Sequence, residues 1–153
     1  AGVVGRGLLP NYPSEITYCY NRGDITAHCG HLGGVAGFFN DEAGISNSTR
    51  CAIDYCFNTG NITGECVLNS DDPAVHVVAD SSLNVFSLGG VVAPCKTPTR
   101  YCFNTGNVTL TKHPHPKFNI WGDQGVAGVG SSAKHCFNVG EINNYEERTV
   151  LFY

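Results

Sequence analysis

The chain has 153 residues, 19 of them Gly, 8 Cys and none Met, with 14% charged residues and a formal net charge of −4. That length suits one domain, and the charged fraction lies well below the roughly one quarter of ordinary globular domains. The Lys and Arg residues stand singly, which excludes a basic patch for nucleic acid or an anionic membrane; no apolar run approaches the roughly 18 residues of a bilayer span, and 42% hydrophobic residues argue against disorder.

In chain order, the first element is a run of small residues, Gly2-Val3-Val4-Gly5, followed by Cys19-Tyr20-Asn21-Arg22-Gly23-Asp24-Ile25. The pair recurs as Gly34-Val35-Ala36-Gly37 with Cys56-Phe57-Asn58-Thr59-Gly60-Asn61-Ile62. It recurs again as Gly90-Val91-Val92-Ala93 with Cys102-Phe103-Asn104-Thr105-Gly106-Asn107-Val108. The fourth copy reads as Gly125-Val126-Ala127-Gly128 with Cys136-Phe137-Asn138-Val139-Gly140-Glu141-Ile142. The shared pattern is C-[YF]-N-x-G-x-[IV], stepping by 37, 46 and 34 residues, so the unit is constant and its connections are not.

A repeat of this length is one supersecondary unit that buries its apolar side by stacking on its neighbours. Runs of Val, Ile, Thr, Tyr and Phe choose β over helix. The expected fold is therefore all-β, a parallel β-solenoid of about four coils with loop insertions. The Asn-x-Gly segments predict corners, with Gly23, Gly60, Gly106 and Gly140 supplying positive φ. Stacked corners align Asn21, Asn58, Asn104 and Asn138 so that their amides bond along the stack. The residues before the repeat cysteines, Tyr18, Tyr55, Tyr101 and His135, read as part of a strand-like alternation.

These two elements together resemble the GLUG repeat, a glycine-rich unit of secreted and wall-attached bacterial proteins, including adhesin-like surface proteins and IgA-specific metalloendopeptidases. The resemblance covers the four units and not the segments 38–50, 67–87 and 110–122. It implies a right-handed β-solenoid or close variant with a surface or substrate-presenting role, and no catalysis within the repeats; the H-E-x-x-H zinc motif is absent from the sequence. No capping segment is recognisable at either end of the repeats, which predicts a slice of a longer protein or a protomer that stacks end to end.

The cysteines divide by position. Cys19, Cys56, Cys102 and Cys136 belong to the repeat and predict a buried thiol ladder, since a free Cys packs as a small hydrophobe. Cys29 and Cys66 each follow a repeat cysteine by ten residues, while Cys51 and Cys95 precede one by five and seven. Coils about 4.8 Å apart permit disulfides between such equivalent positions, giving Cys29–Cys66 and Cys51–Cys95. Eight reduced, merely packed cysteines remain an alternative, and a zinc site on His28, Cys29 and His31 lacks the paired-cysteine spacing of structural sites. Disulfides would place the protein outside the cytosol.

Other chemistry is thinly signalled. Asp54, Asp80 and Asp123 are the acids near expected strands but share no repeat position, as a glycoside-cleaving pair would require. Asp71-Asp72 is short of a calcium shell, and the glycine runs at 89–90 and 125–130 belong to the repeat rather than to a phosphate loop. Thr59 with Thr105, and Thr26 with Thr63 and Thr109, form short ladders of the kind an ice-binding face would extend. Asn47, Asn61 and Asn107 open glycosylation sequons, the last two imposed by the repeat. Segment 110–122 carries His113, His115, Phe118 and Trp121, aromatic and basic side chains suited to contacting a ligand, though Phe118 and Trp121 could equally close the core. The expected function is a structural, adhesive module of an extracellular or cell-surface protein that presents a binding surface. Expected partners are a host protein or glycan and neighbouring repeats or domains of the same protein, with no nucleic acid, membrane insertion or cofactor. Alternatives are a substrate-recognition module of a secreted endopeptidase and a β-helix carbohydrate-active enzyme.

Overall fold

The computed structural model describes residues 1–8, 14–27, 30–40, 51–65, 86–93, 97–111, 126–130, 133–144 and 150–151, and no helix occurs among them. β1 (Val4–Leu8) comes first. The first repeat then supplies β2 (Ser14–Thr17), β3 (Tyr20–Asn21), β4 (Ile25–Ala27) and β5 (Gly30–Gly33), followed by β6 (Ala36–Asn40). The second supplies β7 (Cys51–Asp54), β8 (Phe57–Asn58), β9 (Ile62–Glu65) and β10 (Phe86–Gly89). The third supplies β11 (Thr99–Arg100), β12 (Phe103–Asn104), β13 (Val108–Thr111) and β14 (Val126–Ala127). The fourth supplies β15 (Ala133–Lys134), β16 (Phe137–Asn138), β17 (Ile142–Asn144) and β18 (Val150–Leu151).

Each of four sheets takes one strand from every repeat, in repeat order: β2-β7-β11-β15, β3-β8-β12-β16, β4-β9-β13-β17 and β5-β10-β14-β18. All pairings are parallel, and β1 pairs with β6 in a fifth sheet of two strands. The described residues thus form an all-β stack of parallel sheets, an arrangement compatible with a β-solenoid. The register follows the sequence repeat residue for residue: Asn21↔Asn58, Asn58↔Asn104 and Asn104↔Asn138 are all paired.

The strands are short because the chain turns after two to five residues, and they alternate inward and outward as a half-buried strand must. In β13, Val108 and Leu110 are buried while Thr109 and Thr111 face outward. Two apolar clusters fill the interior. One joins Ile16, Ile53, Val35, Val91 and Val129 with Cys56 and Cys102; the other joins Leu32, Leu88, Ile62, Val108 and Leu110.

The small-residue element departs from expectation in its fourth copy. Backbone bonds run from Gly2 N–H to the Gly34 carbonyl (2.9 Å), Gly34 to Gly90 (3.0 Å) and Gly90 to Gly128 (3.1 Å), and from Val35 to Val91 (2.8 Å) and Val91 to Val129 (3.1 Å). The fourth copy therefore begins at Gly128, not Gly125. Val126 and Ala127 instead pair with Leu88 and Gly89 in the neighbouring sheet. Gly125 to Gly130 contains two overlapping Gly-Val phases, and the one chosen buries Val129 where Val35 and Val91 already stand.

The corner geometry is also corrected. None of Gly23, Gly60, Gly106 and Gly140 has a left-handed φ. That conformation falls on the residue before each repeat cysteine: Tyr18, Tyr55 and Tyr101 at φ 54° and His135 at 53°. These four are bends rather than strand residues. Such a φ in a bulky residue costs about 1 kcal/mol or more, and it turns the chain so that the aromatic ring points out while the following cysteine points in.

Candidate functional site

Because every repeat places the same residue at the same point, the structure is read as columns running along the stack. The cysteine column lies inside. Cys19, Cys56, Cys102 and Cys136 are free thiols, Cys56 and Cys102 fully buried and the outer two half-buried. Each S–H donates to the carbonyl two residues before it, at 3.2–3.3 Å. Between repeats, the Cys56 N–H donates to Cys102 Sγ (3.3 Å) and the Cys102 N–H to Cys136 Sγ (3.4 Å).

Hydrogen bonds to Cys136 and Cys56, together with burial, hold the Cys102 thiol well above the ordinary value. Cys136, which accepts from Cys102, is lowered, whereas burial and the adjacent Cys56 raise Cys19. Cys56 is lowered too, by its hydrogen bond with Cys102, but has no exposed surface; alkylation of the native protein is therefore expected to label Cys136 before Cys19, with Cys56 and Cys102, both shielded by burial, reacting only on unfolding. Peptide mapping after timed iodoacetamide pulses checks this order, and equal rates at all four would contradict it.

Two residues on, the asparagine column forms a continuous amide chain. Asn21 Nδ2 donates to Asn58 Oδ1, Asn58 to Asn104 and Asn104 to Asn138, each at 2.7 Å. The second amide proton of each goes to the carbonyl of the glycine two residues later, at 2.6 Å. Asn58 and Asn104 are fully buried and use both donors. Across the interior, Gly90 lies against Asn104 so closely that a Cβ there would overlap its side-chain amide, which explains why the small-residue element accompanies the asparagine repeat.

Outside, two aromatic columns flank the cysteines. Tyr18, Tyr55, Tyr101 and His135 stack with centroids 5.1–5.3 Å apart and planes within 10°. Tyr20, Phe57, Phe103 and Phe137 stack at 4.8–5.2 Å. Offset stacking contributes about 0.5–1.5 kcal/mol per pair, enough to offset the left-handed backbone at the first column. The tyrosines remain 75, 48 and 50% exposed, in chain order, and no hydrogen bond of their hydroxyls is formed among the described residues. In the sequence these rings stand only as part of the repeat; their signal is the [YH]-C-[YF] triplet in every unit, which puts a ring on each side of an inward cysteine.

Further round the corner, Arg22, Thr59, Thr105 and Val139 form an exposed column, with Arg22 lying over the Tyr20 ring at 5.1 Å. Next come Asp24, Asn61, Asn107 and Glu141. There the side-chain oxygen of one repeat accepts the backbone N–H of the next: Asp24 from Asn61 (2.7 Å), Asn61 from Asn107 (3.0 Å) and Asn107 from Glu141 (3.0 Å). Asp54, the one candidate acid among the described residues, is engaged by Arg100 through Nε at 2.8 Å and Nη2, so it serves as half of a bidentate ion pair between repeats. Thr26, Thr63 and Thr109 are in register.

Cys29, Cys66 and Cys95 lie outside the described residues, as do His28, His113, His115, Phe118, Trp121, Asp71, Asp72, Asp80 and Asp123; of Cys51 only the backbone, in β7, is described. Among the described residues no group of three or more His, Cys, Asp or Glu side chains is placed to hold a metal ion. No family model, curated protein or solved structure matches the chain.

Proposed function

We propose that the four repeats are successive coils of a parallel β-solenoid of the GLUG-like type, and that the chain is a structural and adhesive module of an extracellular or cell-surface protein. The observation that carries this reading is the double aromatic column. Eight rings stand in register on the outside of a scaffold whose interior is already filled by thiols, amides and aliphatic side chains. Because the rings cover one another's faces, the surface offers ring edges and tyrosine hydroxyls at the repeat spacing. Such a surface suits a host protein or a glycan chain that repeats along its own length.

The reading includes Cys29–Cys66 and Cys51–Cys95 as staples. Ala27 and Gly64 are paired and each precedes one of the first two cysteines by two residues, which favours that bridge. Ile53 pairs with Thr99, while Cys51 and Cys95 precede these by two and four residues, so the second bridge is staggered. Non-reducing peptide mapping of secreted material is expected to recover Cys29 linked to Cys66.

The binding test is a glycan and host-protein array probed with the wild type, with Trp121→Ala, and with Tyr55 and Tyr101 both changed to Ser. Loss of about tenfold or more in affinity for a captured ligand in the double variant, with the fold retained by circular dichroism, is the expected result. Binding unchanged by the tyrosine substitutions would move the surface elsewhere, and unchanged binding in Trp121→Ala would remove segment 110–122.

A further inference from the structure

We propose that the outer faces of the first and fourth repeats bind each other between molecules, so that the protein stacks head to tail on a second copy of itself. The inference rests on reading the repeats as successive coils. Its basis is a contrast between inner and outer members of every column. Asn58 and Asn104 are fully buried, Asn21 and Asn138 half-buried; Cys56 and Cys102 are buried, Cys19 and Cys136 half-buried; Ile62 and Val108 are buried, Ile25 and Ile142 half-buried. Tyr18, with one ring neighbour, is 75% exposed, while Tyr55, with two, is 48% exposed. Core-type side chains are therefore left partly open at the two outer repeats, and what covers the same side chains within the molecule is another copy of the same pattern.

The two faces complement rather than duplicate each other. At the first repeat Asn21 donates to Asn58 and Gly23, leaving its Oδ1 without a donor among the described residues. At the fourth repeat Asn138 Nδ2 donates to Gly140, leaving its second proton without an acceptor among them. One face offers the acceptor that the other lacks. Continuing the register across the joint sets Cys136 against Cys19, Phe137 against Tyr20, His135 against Tyr18 and Ile142 against Ile25. Charges complement diagonally: Lys134 falls opposite Thr17, two positions from Glu15, and Glu141 falls two positions from Arg22. One mismatch remains, because Glu141 directly faces Asp24, both exposed. A contact between two different faces does not close on itself, so it generates rods.

The test uses the whole 153-residue chain. Sedimentation over a concentration series and negative-stain microscopy are expected to show unbranched rods that lengthen with concentration. Glu141→Asn restores the amide of that column and removes the like-charge contact, lowering the concentration at which rods appear by roughly threefold. Ile25→Glu blocks one face and Ile142→Glu the other. Each variant alone is expected to remain monomeric with an unchanged circular dichroism spectrum, and an equimolar mixture is expected to form dimers through the two unblocked faces. A wild type that stays monomeric throughout overturns the proposal, as does dimerisation of a singly blocked variant on its own, which would require a symmetric contact. Hydrogen exchange of the monomer separates the two readings: a protein that never associates but protects the backbone amides of β8, β9, β12 and β13 in the inner repeats rejects stacking and keeps the solenoid, whereas amides there that exchange without protection reject both. Should either Ile variant fail to fold, the Glu141→Asn result decides.

Discussion

Gly106→Ala is expected to lower the unfolding free energy by about 3 kcal/mol, while Gly23→Ala, the same change at the same repeat position, alters it by less than about 0.5 kcal/mol. A Cβ on Gly106 would sit well inside van der Waals contact of the Gly60 carbonyl, and Gly140 and Gly60 stand likewise over Gly106 and Gly23. The obstacle is backbone, which cannot swing aside as a flexible side chain would. Relief requires prising the bends of two adjacent repeats apart, with the buried amide bond between Asn58 and Asn104 beside them. Gly23 has only Asn21 Oδ1 at 3.9 Å, so an alanine there meets open space. Since its φ is not left-handed, the substitution also reduces the entropy of the unfolded chain. Urea denaturation with matched slopes measures the pair. Equal losses at both positions would show that the glycines serve a turn conformation after all, since that requirement would be common to every repeat.

Asn104→Ala is expected to cost about 4 kcal/mol, against roughly 1 kcal/mol for Asn21→Ala. Asn104 is the acceptor for Asn58 Nδ2 and the donor to both Asn138 Oδ1 and the Gly106 carbonyl. Its removal orphans the buried Asn58 amide and Gly106 carbonyl, each costing about 1–3 kcal/mol where water cannot reach it, and the half-buried Asn138 oxygen, which costs less. Asn21 sits at the open end, where water substitutes for what it gave to Asn58 and Gly23. The double change Asn58→Ala with Asn104→Ala should cost less than the sum of the two single changes, because their shared bond is then broken only once. Thermal and urea unfolding of the four proteins gives the cycle, and strict additivity would mean that the amides act independently.

The columns themselves were legible because the C-[YF]-N-x-G unit needs no gaps, so alignment of the sequence with itself already brings Asn58 beside Asn104. What it could not supply was the reason for each residue. Asn-x-Gly is a familiar turn signal, and local chemistry assigns the left-handed residue to glycine. The left-handed residue is instead the aromatic before each cysteine, at Tyr18, Tyr55, Tyr101 and His135. Its cost is offset by rings donated from repeats 34 to 46 residues away, a contribution that no local propensity contains. The glycines are required by distance between repeats, which is equally non-local. The phase of the fourth small-residue element failed for a similar reason: Gly125 and Gly128 both begin a Gly-Val pair, and only the neighbouring strand, through Leu88↔Val126, selects between them. Function is least legible where the sequence varies, since a segment such as 110–122 has no second copy in the chain against which its residues align.

The asparagine column has an electrical consequence. Backbone amides along the stack alternate in direction: the Phe57 N–H points back to Cys19, whereas the Ile25 N–H points forward to Asn61, and their dipoles largely cancel. The asparagine amides do not alternate. All three links run from Nδ2 of one repeat to Oδ1 of the next, so dipoles of about 3.5 D each align along a single line. The line is shielded from water at its centre, where Asn58 and Asn104 are buried. The two ends of the molecule therefore differ in potential independently of any charged side chain, with a partial negative pole at Asn21 and a partial positive pole at Asn138, and each added repeat lengthens the dipole without reversing it.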